Sequence, residues 1–332
     1  MAPLNQQFRL TARPHGMVTR EHFDLVEEPA PDPGEGQALV EIDYLSLDPA
    51  MRGWMNETRS YVPPVGLGEV MRAGAAGRVI ASNCPELAEG DHVVGMLGVQ
   101  RYAVTKPAAV TKVDTALAGL PTHLGALGMP GLTAYFGLLE VGKPQEGDTV
   151  VVSGAAGAVG GLVGQIAKIK GARAVGIAGG PEKCAAVVDD LGFDACIDYK
   201  AGPIGPGLSE HCPKGIDVYF DNVGGEILEA CLTRLRLHAR VVLCGAISQY
   251  NATEPPKLGN YLSLLVNRAS MTGIIVFDWA DRYEEGVRQL AQWLAEGKIT
   301  AREDVVEGFE TFPETLQMLF TGANSGKLVL KV

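Results

Sequence analysis

The sequence predicts an α/β protein: a doubly wound parallel sheet joined to a second, β-rich domain of barrel-like character. Three observations carry that expectation. A glycine-rich stretch, Ser153-Gly154-Ala155-Ala156-Gly157-Ala158-Val159-Gly160, joins an apolar strand to an apolar helix. From about Thr133 to Val276 strand and helix patterns alternate, as they do where helices wrap parallel strands. The first ~125 residues read instead as short strands broken by turn residues, with little helix between them.

Strands are expected first at 38–44, 77–81, 92–95 and 102–105. The next lies at 149–152, a run of Val150, Val151 and Val152 ahead of the glycines. A helix then starts near Ala158, with Val159, Leu162, Val163, Ile166 and Ile169 at helical spacing. A strand at 172–178 leads to a helix opened by Pro181 and Glu182 and reaching Leu191. Strands follow at 195–198 and 217–221, a helix at 226–235, and strands at 239–244 and 270–276. The tail shows a short helix at 313–320 and a strand at 327–332 that is expected to return to the first domain. The expected domains are therefore 1–126 with 305–332, and 127–304. The functional cleft is expected between them, since pockets form preferentially at such boundaries.

Composition fits a two-domain intracellular enzyme: 332 residues, 46% of them hydrophobic, suffice for substantial cores. The 42 glycines punctuate short apolar runs and form no repeat or low-complexity tract. Residues 1–10 hold no signal-peptide core, and no run reaches membrane-spanning length, so the cytoplasm is the expected location. A net charge of −11 disfavours nucleic acid. The six cysteines lie at least 12 positions apart, which gives neither a Cys-x-x-Cys ligand pair nor a compact disulfide frame; free, mostly buried thiols are expected.

The strand-glycine-helix arrangement is where a dinucleotide pyrophosphate sits. Gly157 lets backbone approach the phosphates, Gly160 lets the helix pack closely, and amides of the first helical turn face the anion. NAD-binding versions place an acid about 20 positions further on, against the ribose 2′-hydroxyl. Here the second strand ends Ala178-Gly179-Gly180-Pro181-Glu182-Lys183, with no carboxylate at the strand end. Lys183 and Tyr199 are candidates to meet a 2′-phosphate, which favours NADPH over NADH. Glu182 facing the ribose would weaken that preference.

Read together, these features resemble the medium-chain dehydrogenase/reductase superfamily over essentially the whole chain. Within it the sequence is similar to the zinc-independent branch of prostaglandin reductases, leukotriene hydroxydehydrogenases, alkenal double-bond reductases and bacterial curcumin reductases. The resemblance is carried by Leu47-Asp48-Pro49-Ala50-Met51-Arg52-Gly53, Gly90-Asp91-His92-Val93-Val94-Gly95, Gly128-Met129-Pro130-Gly131-Leu132-Thr133-Ala134-Tyr135, Asp221-Asn222-Val223-Gly224-Gly225 and Cys244-Gly245-Ala246-Ile247-Ser248-Gln249-Tyr250-Asn251. Ser60-Tyr61-Val62-Pro63-Pro64-Val65, followed by Gly68-Glu69-Val70-Met71, looks closest to the curcumin-reductase-like members.

The resemblance implies a Rossmann domain for NADPH plus a GroES-like domain, and a homodimer formed through the last Rossmann strand. It implies cofactor contacts from Met129, Thr133, Ala156, Gly157, Ala158, Val159, Gly160, Gly180, Lys183 and Tyr199. Asn222, Cys244, Gly245, Ile247, Ser248 and Tyr250 would border the ribose and nicotinamide, Ile274, Ile275 and Val276 the carboxamide, and Asn324 would close over the cofactor from the tail. Ala50 stands where many relatives carry tyrosine, which removes any substrate contact made by that ring.

Zinc enzymes of the superfamily polarise an alcohol oxygen with a cysteine or histidine constellation. Here Ser46-Leu47-Asp48-Pro49 holds no thiol, and Gly68-Glu69-Val70-Met71 lacks the histidine-glutamate pair. No metal is expected. Without one, the easier hydride acceptor is a conjugated alkene, whose carbonyl delocalises the incoming charge and then needs only hydrogen-bond donors and a proton. Tyr250 is the first candidate donor and Tyr61 the second, with the ribose 2′-hydroxyl as a further one. The expected substrate is a small apolar α,β-unsaturated ketone or aldehyde. A quinone oxidoreductase and a non-catalytic NADPH-binding protein remain the alternatives.

Overall fold

The computed structural model describes residues 3–254 and 257–332. The chain divides into two compact units, one running to Leu124 and resumed by Glu303–Val332, the other Gly125–Arg302.

The first unit begins with β1 (Leu4–Leu10) and β2 (Phe23–Pro29), paired antiparallel from Leu4 opposite Pro29 to Leu10 opposite Phe23. β3 (Ala38–Ser46), β4 (Ala75–Ser82), β5 (His92–Gly95), β6 (Tyr102–Thr105) and β7 (Val110–Lys112) form the body of an antiparallel sheet. β3 has β4 along one edge and β6 along the other. Between Ile42 and Tyr44 the β3–β4 register shifts, and a Cβ on Gly77 would lie 2.0 Å from the Glu41 carbonyl oxygen, so only glycine lets the strands approach there.

The second unit contains β8 (Thr149–Ser153), β9 (Arg173–Ala178), β10 (Ala195–Asp198), β11 (Ile216–Asp221), β12 (Leu235–Leu243) and β13 (Ser270–Gly273). All pair parallel, in the order β10-β9-β8-β11-β12-β13. Counted from β8 this is 3-2-1-4-5-6, the order of a doubly wound dinucleotide-binding sheet, with its switch point between β8 and β11. Val150, Val151 and Val152 are fully buried, because a central strand is covered on both faces. The helix Ala158–Ile169 lays Leu162, Val163 and Ile166 into that core, each contributing roughly 1.5–3 kcal/mol by burial.

The chain returns to the first unit as β14 (Glu303–Glu307) and β15 (Lys327–Lys331). β15 runs antiparallel to the end of β3 and parallel to β14. The helix Phe312–Thr321 between them brings Phe312 against Phe8 and Phe23 at centroid distances of 5.2 Å, which welds the tail to the β1–β2 hairpin.

Several elements depart from the sequence expectation. The helix expected at 226–235 is Gly225–Leu232, and β12 already starts at Leu235. Leu228, Leu232 and Leu235 fall at helical spacing, which hides the change of element. The strand expected at 270–276 ends at Gly273, and a tight helical segment takes over at Val276. The helix Ile204–His211 has no counterpart in the sequence expectation; Gly205, Pro206 and Gly207 obscure it, although proline is tolerated in a first turn. Among the described residues no helix is long and apolar enough to cross a membrane.

Candidate active site

The switch point is built around one carboxylate. Asp221 closes β11 fully buried, and its Oδ1 accepts from Ser153 Oγ (2.8 Å), Tyr219 Oη (2.7 Å), and the amides of Val223 (3.0 Å) and Gly224 (2.9 Å). Ser153, at the end of β8, in turn accepts the Asn222 amide at 2.9 Å, while Asn222 Nδ2 donates to the Ser153 carbonyl at 2.7 Å. Two strand ends 68 residues apart are thereby locked where open α/β sheets bind ligands. Burial, reinforced by the Asp221 charge, pushes the Cys244 thiol up to about 12, so Cys244 stays a neutral thiol at neutral pH.

Past β8 the backbone forms an anion cradle. Gly154 adopts φ +63°, and Gly157 caps the helix with no side-chain bond. The Gly157 amide returns to the Gly154 carbonyl at 2.9 Å, and the first amide to bond back along the helix is Gly161, to the Gly157 carbonyl at 3.0 Å. Ala158, Val159 and Gly160 thus have amides with no acceptor among the described residues. A Cβ on Gly160 would lie 2.3 Å from the Gly154 carbonyl oxygen, and one on Gly157 3.2 Å from it. Gly160 therefore seats the helix against its own entry loop, while close packing on the neighbouring β9–β10 layer falls to Gly164, whose Cβ would meet the Phe193 ring. Donors, glycines and the positive end of a twelve-residue helix together fit a dinucleotide pyrophosphate.

Beside the cradle, β9 is followed by Gly179 and Gly180, the latter at φ +97°, before the helix Pro181–Asp189. The Tyr199 ring lies so close over Gly179 that a Cβ there would be 2.7 Å from its hydroxyl. Lys183 stands half-buried in the first helical turn, with Glu182 exposed. Asp198, which sequence reasoning missed, accepts the amides of Gly180 (2.7 Å) and Lys200 (2.9 Å). Those amides hold its carboxyl below the usual range, so it stays ionised and fixes the loop. The signal was an acid directly before Tyr199, one strand beyond where an acid is normally sought.

The loop after β12 packs on the Asn222–Gly225 turn. Ile247 donates its amide to the Asn222 carbonyl (3.2 Å), and Ser248 gives both its amide (3.2 Å) and its hydroxyl (2.6 Å) to the Val223 carbonyl. Tyr250 is half-buried, and its hydroxyl accepts the Ala246 amide at 3.2 Å beside Gly245. Asn222, Cys244, Gly245, Ile247, Ser248 and Tyr250 therefore share one corner at the ends of β11 and β12.

The other residues singled out in the sequence lie on further elements of the two units. Ile274 is buried against Gly137, whose Cβ would come within 2.4 Å of its Cδ1, and its amide bonds the Leu243 carbonyl; Ile275 and Val276 are half-buried. Met129 is exposed at the start of the helix Met129–Phe136, with Thr133 Oγ1 donating to its carbonyl at 2.7 Å. Tyr61 is exposed in the first unit, and Asn324, in the same unit, donates to the Gly326 carbonyl at 3.2 Å.

Among the described residues no three His, Cys, Asp or Glu side chains gather in a metal-binding group. Ser46 Oγ donates to the Asp48 carboxylate, which also pairs with the buried Lys327 ammonium at 2.7 Å, while Lys327 Nζ reaches the Leu47 carbonyl at 2.8 Å. This donor set of hydroxyl, carboxylate and ammonium is unsuited to zinc.

Two family models match the chain: an N-terminal domain of oxidoreductase over residues 6–113 and a zinc-binding dehydrogenase over residues 158–295. The chain is 45% identical over 334 residues to the NADPH-dependent curcumin reductase of Escherichia coli, covering 99% of this chain and 97% of that one. It is 39% identical to the NADP(+)-dependent 2-alkenal reductase of Nicotiana tabacum, over 90% of this chain and 88% of that one. The crystal structure of CurA from Vibrio vulnificus in complex with NADPH superimposes with a TM-score of 0.94 at 45% identity, over 98% of this chain and 99% of that chain.

Proposed function

Since the chain belongs to the medium-chain dehydrogenase/reductase family, we propose that it is an NADPH-dependent reductase of the carbon–carbon double bond in α,β-unsaturated ketones and aldehydes. The observation that carries this reading is the pairing, at one switch point, of an anion cradle with a tyrosine-bearing loop. The names of two similar reductases support the same acceptor class.

In this reading the amides of Ala158, Val159 and Gly160 hold the pyrophosphate, Lys183 and Tyr199 the 2′-phosphate, and Asn222 with the 244–250 loop the nicotinamide end. Bound there, NADPH supplies a hydride to the β-carbon of the substrate. Negative charge then develops on the substrate's carbonyl oxygen. The Tyr250 hydroxyl donates to that oxygen, and the Ala246 amide donating to the same hydroxyl polarises its O–H bond and strengthens it as a donor. Tyr61 is assigned as the second donor, and water protonates the α-carbon. No metal is required, because conjugation moves the charge to where hydrogen bonds can meet it. The active species is proposed as a cytoplasmic homodimer formed through β13, the edge of the parallel sheet.

NADPH oxidation against a panel of enones, enals and quinones tests the reading. Tyr250→Phe is expected to lower kcat on an enone by roughly 100-fold with little change in the KM for NADPH. An unchanged rate removes the assigned donor, and turnover of quinones alone removes the acceptor class.

A further inference from the structure

Two of the six cysteines meet, although twelve residues separate them in the chain. Cys184 lies on the helix Pro181–Asp189 and Cys196 on β10, both half-buried, with their sulfurs 2.8 Å apart and Cys196 donating to Cys184. The pair bridges the two elements that Asp198 joins through the Gly180 amide. It also borders Lys183 directly, and the Cys184 amide bonds the Gly180 carbonyl at 3.1 Å.

We propose that Cys184 and Cys196 are an oxidative modification site, closing to a reversible disulfide when hydrogen peroxide is the oxidant, and that closure weakens the hold on NADPH. The geometry assigns the roles. Cys184, as the acceptor of the Cys196 S–H, is the sulfur that attacks. It loses its proton to water and displaces hydroxide from the peroxide, breaking the O–O bond and leaving a sulfenic acid. The Cys196 sulfur then attacks the Cys184 sulfur, and its proton leaves with the hydroxyl as water. The two thiols give up two electrons and the peroxide becomes two waters. Burial pushes both thiols up, which lowers the thiolate fraction and slows the attack on peroxide.

Bonding draws the sulfurs from 2.8 Å to about 2.05 Å, and the first turn of the helix must follow. That turn carries Lys183, and Gly179, two residues ahead of the helix, lies close beneath the Tyr199 ring. The cofactor consequence rests on reading Lys183 and Tyr199 as the 2′-phosphate pocket; the disulfide does not.

The full-length protein is titrated with hydrogen peroxide, cleared of oxidant, and its intact mass and NADPH affinity are measured. The expected result is a loss of about 2 Da that dithiothreitol restores, with peptide mapping joining Cys184 to Cys196. Cys184→Ser and Cys196→Ser each abolish it. Oxidised wild type should bind NADPH about tenfold more weakly, a change in scale with one impaired charge-assisted contact, while peroxide leaves the affinity of Cys184→Ser unaltered. Sulfenic or sulfinic adducts without a bridge, or a bridge between other cysteines, overturn the site. A correct bridge with unchanged NADPH affinity, where Lys183→Ala does weaken NADPH, overturns the coupling alone. If Lys183→Ala leaves NADPH and NADH binding equally untouched, the pocket reading and the coupling built on it fall while the disulfide stands.

Discussion

Asp221 shows how much of this site hangs on a single buried oxygen. Its Oδ1 takes four donors, whereas Oδ2 is buried without a partner among the described residues, so the stabilisation is concentrated on one atom. Replacing it by Asn removes the charge that strengthens those four bonds and puts an NH2 group at the buried Oδ2 position, where the described residues offer no acceptor. Asp221→Asn is expected to cost about 3 kcal/mol of stability, readable by denaturant unfolding, and to weaken NADPH because Ser153 and Asn222 lose their anchor. Asp198 gives a pH-dependent counterpart. Its folded-state pKa is depressed, so its contribution is complete above the unfolded value, near pH 4, and is lost as pH falls through the lower folded value. NADPH affinity should therefore drop on the acid side of pH 4, and Asp198→Asn should bring the weakened state to neutral pH. Lys183 and Tyr199 are proposed from the sequence because strand ends and helix starts are legible locally. Asp198 and Asp221 each add to their local partners one that is distant in the chain, the Gly180 amide and the Ser153 hydroxyl, and no local pattern encodes those.

Among the elements, the helix Ala158–Ile169 and its entry loop were the most legible. Apolar periodicity and glycine spacing agree there with the packing: Gly157 and Gly160 both face the Gly154 carbonyl, and Gly164 faces the Phe193 ring. A Cβ on Gly164 would lie 1.8 Å from the Phe193 ring, so Gly164→Ala is expected to destabilise the second unit by about 1–3 kcal/mol, measured as a lower unfolding midpoint. Gly160→Ala confronts backbone that cannot yield as a ring can. It should therefore impair NADPH binding as well as stability. The 225–243 segment was misread because leucines at helical spacing continue into a strand, and His238 at φ +62° then breaks the alternation that would have marked β12. β1 and β2 went unseen for a related reason: their ladder closes across a loop, and β2 carries a largely exposed face with acidic residues.

At the scale of the whole molecule, alternating strand and helix patterns announced the parallel sheet, while the strand order came only from the packed structure. Among the described residues that order leaves β13 paired on one side alone. The helix Leu262–Asn267 preceding it exposes Leu265 at 74% and Val266 at 70%, an apolar face suited to the proposed dimer. Leu265→Glu with Val266→Glu is expected to shift the protein from dimer to monomer by sedimentation velocity; a wild-type monomer would contradict that assembly. The central claim, reduction at carbon by a nicotinamide hydride, is tested most directly by following the label. NADPH deuterated at both C4 positions is incubated with an enone, and the product is analysed by NMR. The account predicts a saturated ketone with deuterium on the β-carbon. Deuterium on the former carbonyl carbon of an allylic alcohol would contradict it.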